Sequence, residues 1–219
     1  MGDGIYIPDV IGATDVFASI PNSEIYFLGK QKGLSKSIAN VGPTVVANTT
    51  LEECPKLDVM IFGASLPAYV SDTAILNFVL EQEKSAQAVI SVCAGTFVIG
   101  SAGLLDGREA TTNYHQIKDL KRIGACYTGK EVEEDGKFLS AGPAVGSYDV
   151  GLKAVEKIAG RDWAQYIEHQ VLEFSPHPVY GTNPKNAKGS IIRTTKTISF
   201  FARKFFRPHI RKGYYGQRK

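Results

Sequence analysis

The hydrophobic and polar positions along the chain alternate between short apolar runs and longer amphipathic stretches. Ile5–Ile7, Ser23–Leu28, Thr44–Ala47 and Leu57–Phe62 are compact enough to predict strands. Pro8 ends the first of these, and the following stretch predicts a loop entering a helix at about Ala13. Gly29–Gly33 predicts a turn, and Asn48, Thr49 and Thr50 are helix-entry residues before Leu51. Ser71–Glu83 has helical spacing, with Ala74, Ile75, Phe78 and Val79 on one face. Ala88–Val92 is apolar enough for a fully buried strand, and Thr96–Leu105 for a buried helix that closes at Gly103.

Further on, Asp106-Gly107 marks a turn and Glu109–Thr112 a short strand. Lys130–Leu139 reads as a hairpin about Asp135-Gly136. Tyr148–Ile158 and Trp163–Phe174 predict helices, the second broken by Ser175–Pro178. Strands alternating with helices predict an α/β fold, a mostly parallel sheet sandwiched between helices in the flavodoxin-like manner. Ligands of such sheets bind beyond the carboxyl ends of the strands. Gly63, Cys93 and Asp9 all fall at such ends.

Between the buried strand and its helix stand Cys93, Ala94 and Gly95. A strand that turns into a helix within two residues needs small side chains at the bend, and it lifts the bend residue out of the sheet. A cysteine there feels the positive end of the next helix, which favours thiolate. The plain alternative is a small buried cysteine in the core.

Composition narrows the function classes. The 219 residues suit one α/β domain with at most an appendage, and no apolar run reaches eighteen residues. The start lacks a basic patch and a long apolar core, so no secretory signal is read there. Cys54, Cys93 and Cys126 are odd in number and lack CxxC spacing, which argues against a disulfide framework or a metal site and for a cytoplasmic setting.

Charge is unevenly spread. From Pro184 onward there are 11 Lys and Arg and no Asp or Glu, leaving 14 basic against 22 acidic residues in the rest. The chain therefore divides into a main domain, residues 1–183, and a basic aromatic extension, residues 184–219. In the extension Ile198, Phe201 and Phe205 share a helical face, with Lys204 and Arg207 elsewhere. Two readings stay open: a helix packed on the body, or a basic amphipathic helix on an anionic membrane surface. Nucleic-acid binding is the weaker reading, because arginines and aromatics alone define no reader module.

The stretch SVCAGTFVIGSAGLLDGREATTNY resembles the nucleophile elbow of the ThiJ/PfpI superfamily, whose fold is class I glutamine amidotransferase-like. DVIGATDVF is similar to the acidic loop and helix after the first strand of that family, and SAGPAVGSYDVGLKAVEKIAG to the helix after its hairpin. LEFSPHPVYGTNP resembles the carboxyl-terminal segment of the isonitrile hydratase branch. The resemblance implies a cofactor-free homodimer with Cys93 as nucleophile and Asp9 as its acidic partner. It also implies addition of water to a small electrophile, an isonitrile, to give an N-substituted formamide. Without the resemblance, Asp9 reads as a helix-entry residue.

Donors for a developing anion are expected at the Ala94 N–H and at the Gly63-Ala64 turn, with Thr96 and His115 near the substrate. The plain reading of His115 is a surface-loop histidine. Three features depart from the family pattern. Ala94 stands where protease-like members have His and many isonitrile hydratases have Thr, which argues against a Cys-His peptidase. Asn113 stands where many relatives have His. Few residues precede DVIG, so the first strand is short. The alternatives within the fold are a glyoxalase or deglycase acting on α-oxoaldehydes, and a redox-sensing or regulatory protein without turnover.

Overall fold

The computed structural model of the chain describes residues 4–38, 42–172 and 189–217. Its centre is a four-stranded sheet in the order β5-β6-β8-β7. β5 (Val59–Phe62), β6 (Ala88–Val92) and β8 (Phe138–Ala141) run parallel, and β7 (Val132–Asp135) pairs antiparallel with β8. The last two form the hairpin read from Asp135-Gly136, with Gly136 at φ 61°. The fold is the α/β sandwich expected from the sequence.

Every residue of β6 is buried, as a run apolar at every position but Ser91 requires. Its side chains divide by alternation between two cores. Val89 joins Met60, Phe97, Ile99 and Ile123 on one face. Ala88, Ile90 and Val92 join Val16, Leu139, Val150 and Ile167 on the other. α1 (Pro8–Ala18) and α4 (Gly146–Ala159) cover the second face, and the Ser147 hydroxyl accepts the Ala13 N–H at 2.9 Å. α2 (Thr73–Glu83) and α3 (Thr96–Ser101) cover the first.

Several elements differ from the sequence reading. Pro8 does not stop a strand but occupies the first helical turn, where its missing N–H costs nothing, so α1 begins five residues earlier than expected. Before it, only Ile5 forms a bridge, to Ser37. Thr49 and Thr50 do not start a helix; they form β4 (Thr49–Thr50), parallel to β1 (Leu28–Gly29). The hairpin of β2 (Gly33–Lys36) and β3 (Thr44–Ala47) lies between them in sequence. The α2 helix starts after Asp72, whose Oδ1 accepts the Ala74 and Ile75 N–H groups. It buries Leu76 and Val79, while Ala74 is exposed and Ile75 and Phe78 are half-buried. α3 stops at Ser101, with Gly103 at φ +83° just beyond. Glu109–Thr112 is reduced to one bridge from Glu109 to Cys126. Trp163–Phe174 becomes α5 (Arg161–Tyr166) and a π-turn, Ile167–Val171. The expected break at Ser175–Pro178, and the side chain of Ile198, lie outside the described residues.

The expected strand Ser23–Leu28 pairs as a ladder only at its end. The edge of β5 away from β6 has no strand beside it among the described residues. A cavity of about 720 Å³ lies between the two.

α6 (Gly189–Gly216) packs along the body. Ile210 is fully buried and Tyr214 nearly so, and the Phe206 ring lies 6.1 Å from that of Phe97. Polar ties run beside this apolar contact. Arg207 Nε donates to the buried Asp119 at 3.0 Å, and Tyr214 Oη donates to Asp106 at 2.8 Å. The His209 ring pairs with the Ser71 hydroxyl at 2.9 Å. The packed face therefore runs through Phe206 and Ile210. Phe201 and Phe205, placed on one face by the sequence, do share a face and stack on each other, but that face points outward.

Candidate active site

At the carboxyl end of β6 the chain leaves the extended conformation of Val92 (φ −127°, ψ 137°) and enters a tight helical turn, Cys93–Gly95. Cys93 carries φ 58°, in the left-handed region that a residue with a Cβ enters only under constraint. The constraint is visible in the hydrogen bonds. The Thr112 hydroxyl donates to the Cys93 carbonyl at 2.7 Å. The Thr96 hydroxyl, fully buried, donates to Thr111 O at 2.8 Å and lies 3.2 Å from the same Cys93 carbonyl. Ser91 Oγ lies 3.0 Å from Thr96 Oγ1 and supplies its remaining partner.

Gly95 makes the turn possible. A Cβ there would stand 2.1 Å from the Phe62 carbonyl oxygen, so only glycine lets the elbow press against the end of β5. Gly63 plays the matching part on β5, since a Cβ there would meet the Asp9 and Val10 side chains at 2.8 Å.

Through this gap the first turn of α1 brings Asp9 to the elbow. Asp9 is fully buried, and its Oδ2 accepts the Ala64 N–H at 2.8 Å. Its Oδ1 is sealed from solvent without a donor in good hydrogen-bond geometry among the described residues. The Cys93 thiol lies close enough to this carboxyl for each group to shift the other's proton affinity. Burial pushes the Asp9 carboxyl up to about 7, against the pull of the Ala64 N–H and the Cys93 thiol. Burial, and then the charge of Asp9, push the Cys93 thiol up to about 12, against the Ala94 N–H and the Asn113 amide. The thiolate expected from the helix amino terminus is therefore not the resting state. α3 has only six residues, and burial together with the carboxyl beside the sulfur outweighs it.

The structure brings Cys93, Asp9, Gly63, Ala64 and Ala94 together. The Ala94 N–H points at the sulfur, as expected of a donor for a developing anion. The Ala64 N–H is committed to Asp9, so the second turn positions the acid. Thr96 faces into the elbow and braces it. His115 pairs through Nδ1 with Ser199 of α6 at 2.6 Å, and its carbonyl accepts Arg203 Nε at 3.1 Å. Burial and Arg203 lower its proton affinity.

Two further residues belong to the elbow: Asn113, noted in the sequence only for standing where relatives have His, and Thr112. The Asn113 amide lowers the proton affinity of the Cys93 thiol, and its Nδ2 donates to Gln116 Oε1 at 2.6 Å. Thr112 holds the Cys93 carbonyl. Their signal is the polar run Thr111-Thr112-Asn113 at the end of the expected strand Glu109–Thr112, close behind the elbow.

A family model, DJ-1/PfpI family, matches residues 9–157, which include the elbow, Asp9 and the hairpin. The chain belongs to the DJ-1/PfpI family. Isonitrile hydratase of Pseudomonas putida is 33% identical over 189 residues, covering 84% of this chain and 81% of its own. A deglycase of Thermococcus kodakarensis is 30% identical over 125 residues, covering 54% of this chain and 72% of its own. Among solved structures, a ThiJ/PfpI family protein from Pseudomonas syringae superposes with a TM-score of 0.84 at 24% identity, covering 97% of this chain and 88% of its own. Drosophila melanogaster DJ-1beta superposes at 0.68 with 20% identity, covering 78% and 94%. No helix among the described residues is long and apolar enough to cross a membrane.

Proposed function

We propose that this DJ-1/PfpI protein is a lyase that hydrates an isonitrile or a closely related small electrophile, with Cys93 as nucleophile. The observation that carries the reading is the pairing of a neutral thiol at a strained elbow with a buried carboxyl poised near neutrality. The similarity to a relative named isonitrile hydratase supports it.

A free thiolate beside a carboxylic acid is well uphill of the thiol–carboxylate pair, because burial and Asp9 both oppose charge on sulfur. Addition without net charge separation avoids that state. The Cys93 Sγ bonds to the terminal carbon of R–N≡C while Asp9 takes the thiol proton and passes it to that carbon, leaving the thioimidate R–N=CH–S–Cys. Water then adds across the C=N bond, its hydroxyl to carbon and a proton to nitrogen. Collapse breaks the C–S bond, and the hydroxyl proton returns through Asp9 to sulfur. R–NH–CHO leaves and the thiol is restored. A carboxyl at about 7 gives and takes protons with comparable ease at neutral pH. The Ala94 N–H and the Asn113 amide stabilise negative charge on sulfur as it develops.

The deglycase relative supports a second reading, in which Cys93 adds to the aldehyde of an α-oxoaldehyde as a hemithioacetal. A panel of isonitriles and α-oxoaldehydes, offered to the wild type, Cys93→Ala and Asp9→Asn, separates them. Formamide production that both substitutions abolish supports hydration. Turnover of oxoaldehydes alone transfers the assignment to the second reading. Oxidation of Cys93 to a sulfinate with no turnover of either class defeats both. The reading includes a cytoplasmic homodimer, which equilibrium sedimentation of the full chain checks.

A further inference from the structure

Ser199, Arg203 and Arg207 stand four residues apart on α6 and so form one stripe along it. The whole stripe lands on a single segment of the body, His115–Asp119. Ser199 Oγ, nearly buried, lies 2.6 Å from His115 Nδ1. Arg203 Nε donates to the His115 carbonyl at 3.1 Å, and Arg207 Nε to Asp119 Oδ1 at 3.0 Å. Side chain and main chain of His115 are thus both fixed from α6. Packing alone does not require this. The apolar anchor of the helix, Phe206, Ile210 and Tyr214, lies further along it, and next to Ser199 the Phe200 and Phe201 rings are exposed.

Just upstream, the chain that α6 grips is tied to Cys93. Thr112 Oγ1 donates to the Cys93 carbonyl at 2.7 Å, and the Thr111 carbonyl accepts Thr96 Oγ1 at 2.8 Å. Between the two anchorages the backbone turns at Asn113, whose carbonyl accepts the Gln116 N–H at 3.0 Å. The Asn113 side chain is engaged at both ends inside this turn. Its oxygen takes the His115 N–H at 3.1 Å, and its Nδ2 meets the buried Gln116. An amide held at both ends cannot rotate without moving His115, and His115 cannot move without breaking its ties to α6. A continuous run of hydrogen bonds therefore leads from α6, through one turn, to the backbone of the strained residue at φ 58°.

We propose that Ser199, Arg203 and His115 are positioning residues for Cys93: α6 fixes the turn Asn113–Gln116, and the turn fixes the Asn113 amide and the Thr112 hydroxyl beside the elbow. The proposal rests on Cys93 as the reacting group and not on the choice between isonitrile and oxoaldehyde. The Asn113 amide favours charge on the Cys93 sulfur. With the turn loosened, that support weakens and less thiolate forms at a given pH. A merely structural contact would change stability and leave the pH profile of the sulfur in place.

The test is alkylation of the folded, full-length protein by iodoacetamide between pH 7.5 and 9.5, followed by mass spectrometry of timed digests. The exposed Cys126 is the internal reference. Ser199→Ala and His115→Leu should each slow Cys93 by roughly threefold or more, a profile displaced upward by about half a pH unit, while Cys126 keeps its rate. His115→Asn, whose amide offers Ser199 a polar atom near the place of Nδ1, should recover most of the rate. In an Asn113→Ala background Ser199→Ala should have no further effect, because members of one network are not additive. Ser199→Ala deletes a single oxygen, so it decides the matter even where His115→Leu fails to fold. An unchanged Cys93 profile in folded Ser199→Ala overturns the proposal. Faster alkylation overturns it too, by making α6 a cover over the sulfur. So does equal slowing in the Asn113→Ala background, which would mean general loosening. None of these readouts needs turnover, so a protein inactive toward every isonitrile leaves the test standing.

Discussion

Replacing Asp9 by asparagine should stabilise the protein and disable it, and the stabilisation should depend on pH in a defined way. Asp9 is fully buried and its carboxyl is pushed from 3.8 up to about 7. The folded state therefore holds this proton more tightly than the unfolded chain. Its contribution to stability is fully present below about pH 4, is lost as the pH rises through 7, and is constant above that. A shift of about three units corresponds to roughly 4 kcal/mol. Asparagine keeps an oxygen for the Ala64 N–H and never ionises, so it escapes that loss. The two proteins should be nearly equal at pH 4.5 and differ by up to about 4 kcal/mol at pH 8.5. For a domain of this size that is on the order of 10 °C in melting temperature. Urea titrations of both proteins across this range provide the measurement, and taking their difference cancels the titrating groups that do not couple to Asp9. A difference that does not vary with pH would refute the buried, protonated Asp9. Activity should fall at least hundredfold, the scale of a lost acid–base group.

Thr112→Val removes the hydroxyl that holds the Cys93 carbonyl and should cost about 1–3 kcal/mol in chemical denaturation. Its turnover should fall as the elbow loosens; unchanged kinetics would remove Thr112 from the elbow's support. Gly95→Ala places a methyl 2.1 Å from the Phe62 carbonyl oxygen and should cost about 3 kcal/mol or more, visible as a large loss of soluble protein or of melting temperature. Because Cys93 sits at φ 58°, Cys93→Gly should be about 1 kcal/mol more stable than Cys93→Ala; the reverse order in urea melts would deny the strain. At pH 7 a maleimide should label the exposed Cys126 before Cys93, and Asp9→Asn should speed labelling of Cys93 by removing the neighbouring charge. Mass spectrometry of timed digests reads both rates.

The elbow was legible because it is local. A short, mostly apolar run, Cys-Ala-Gly, and a buried helix leave few other ways to turn, and the side chains that could block it are missing. The hairpin was legible for the same reason, since Asp135-Gly136 fixes its own turn. What escaped depends on distance. Without the family resemblance Asp9 reads only as a helix-start acid, because Gly63, which opens the gap through which it approaches the elbow, lies more than fifty residues away. The protonation state of Cys93 escaped because a helix dipole is visible in sequence, while burial and a facing carboxyl are not. Ser23–Leu28 has strand composition, yet a strand needs a neighbour, and Leu28 and Gly29 find one in Thr49 and Thr50.

The basic carboxyl-terminal helix packs on the body by one face, and its other face is open to the test of the membrane reading. Its inner face packs through Ile210, Tyr214 and Phe206. Burial of side chains this size contributes about 1.5–3 kcal/mol each, so deleting residues 189–219 should cost roughly 5 kcal/mol or more. Arg207 adds to this by meeting a carboxylate, Asp119, that is fully buried. The outer face carries Phe200, Phe201 and Phe205, exposed at 62%, 48% and 59%, with Lys196 and Lys204 also exposed beside them. Exposed aromatics among cations are what an anionic lipid surface selects. Deletion confounds the two faces, so the useful variant changes only the outer one. Phe200→Ser, Phe201→Ser and Phe205→Ser together should leave the melting temperature within a few degrees and abolish sedimentation with phosphatidylglycerol vesicles. Binding of the wild type should weaken steeply with salt, since surface attraction is screened over about 8 Å at physiological ionic strength. A triple variant that unfolds would show that these rings are buried by something, a second copy of the chain above all. A wild type that ignores anionic vesicles at low salt would end the membrane reading.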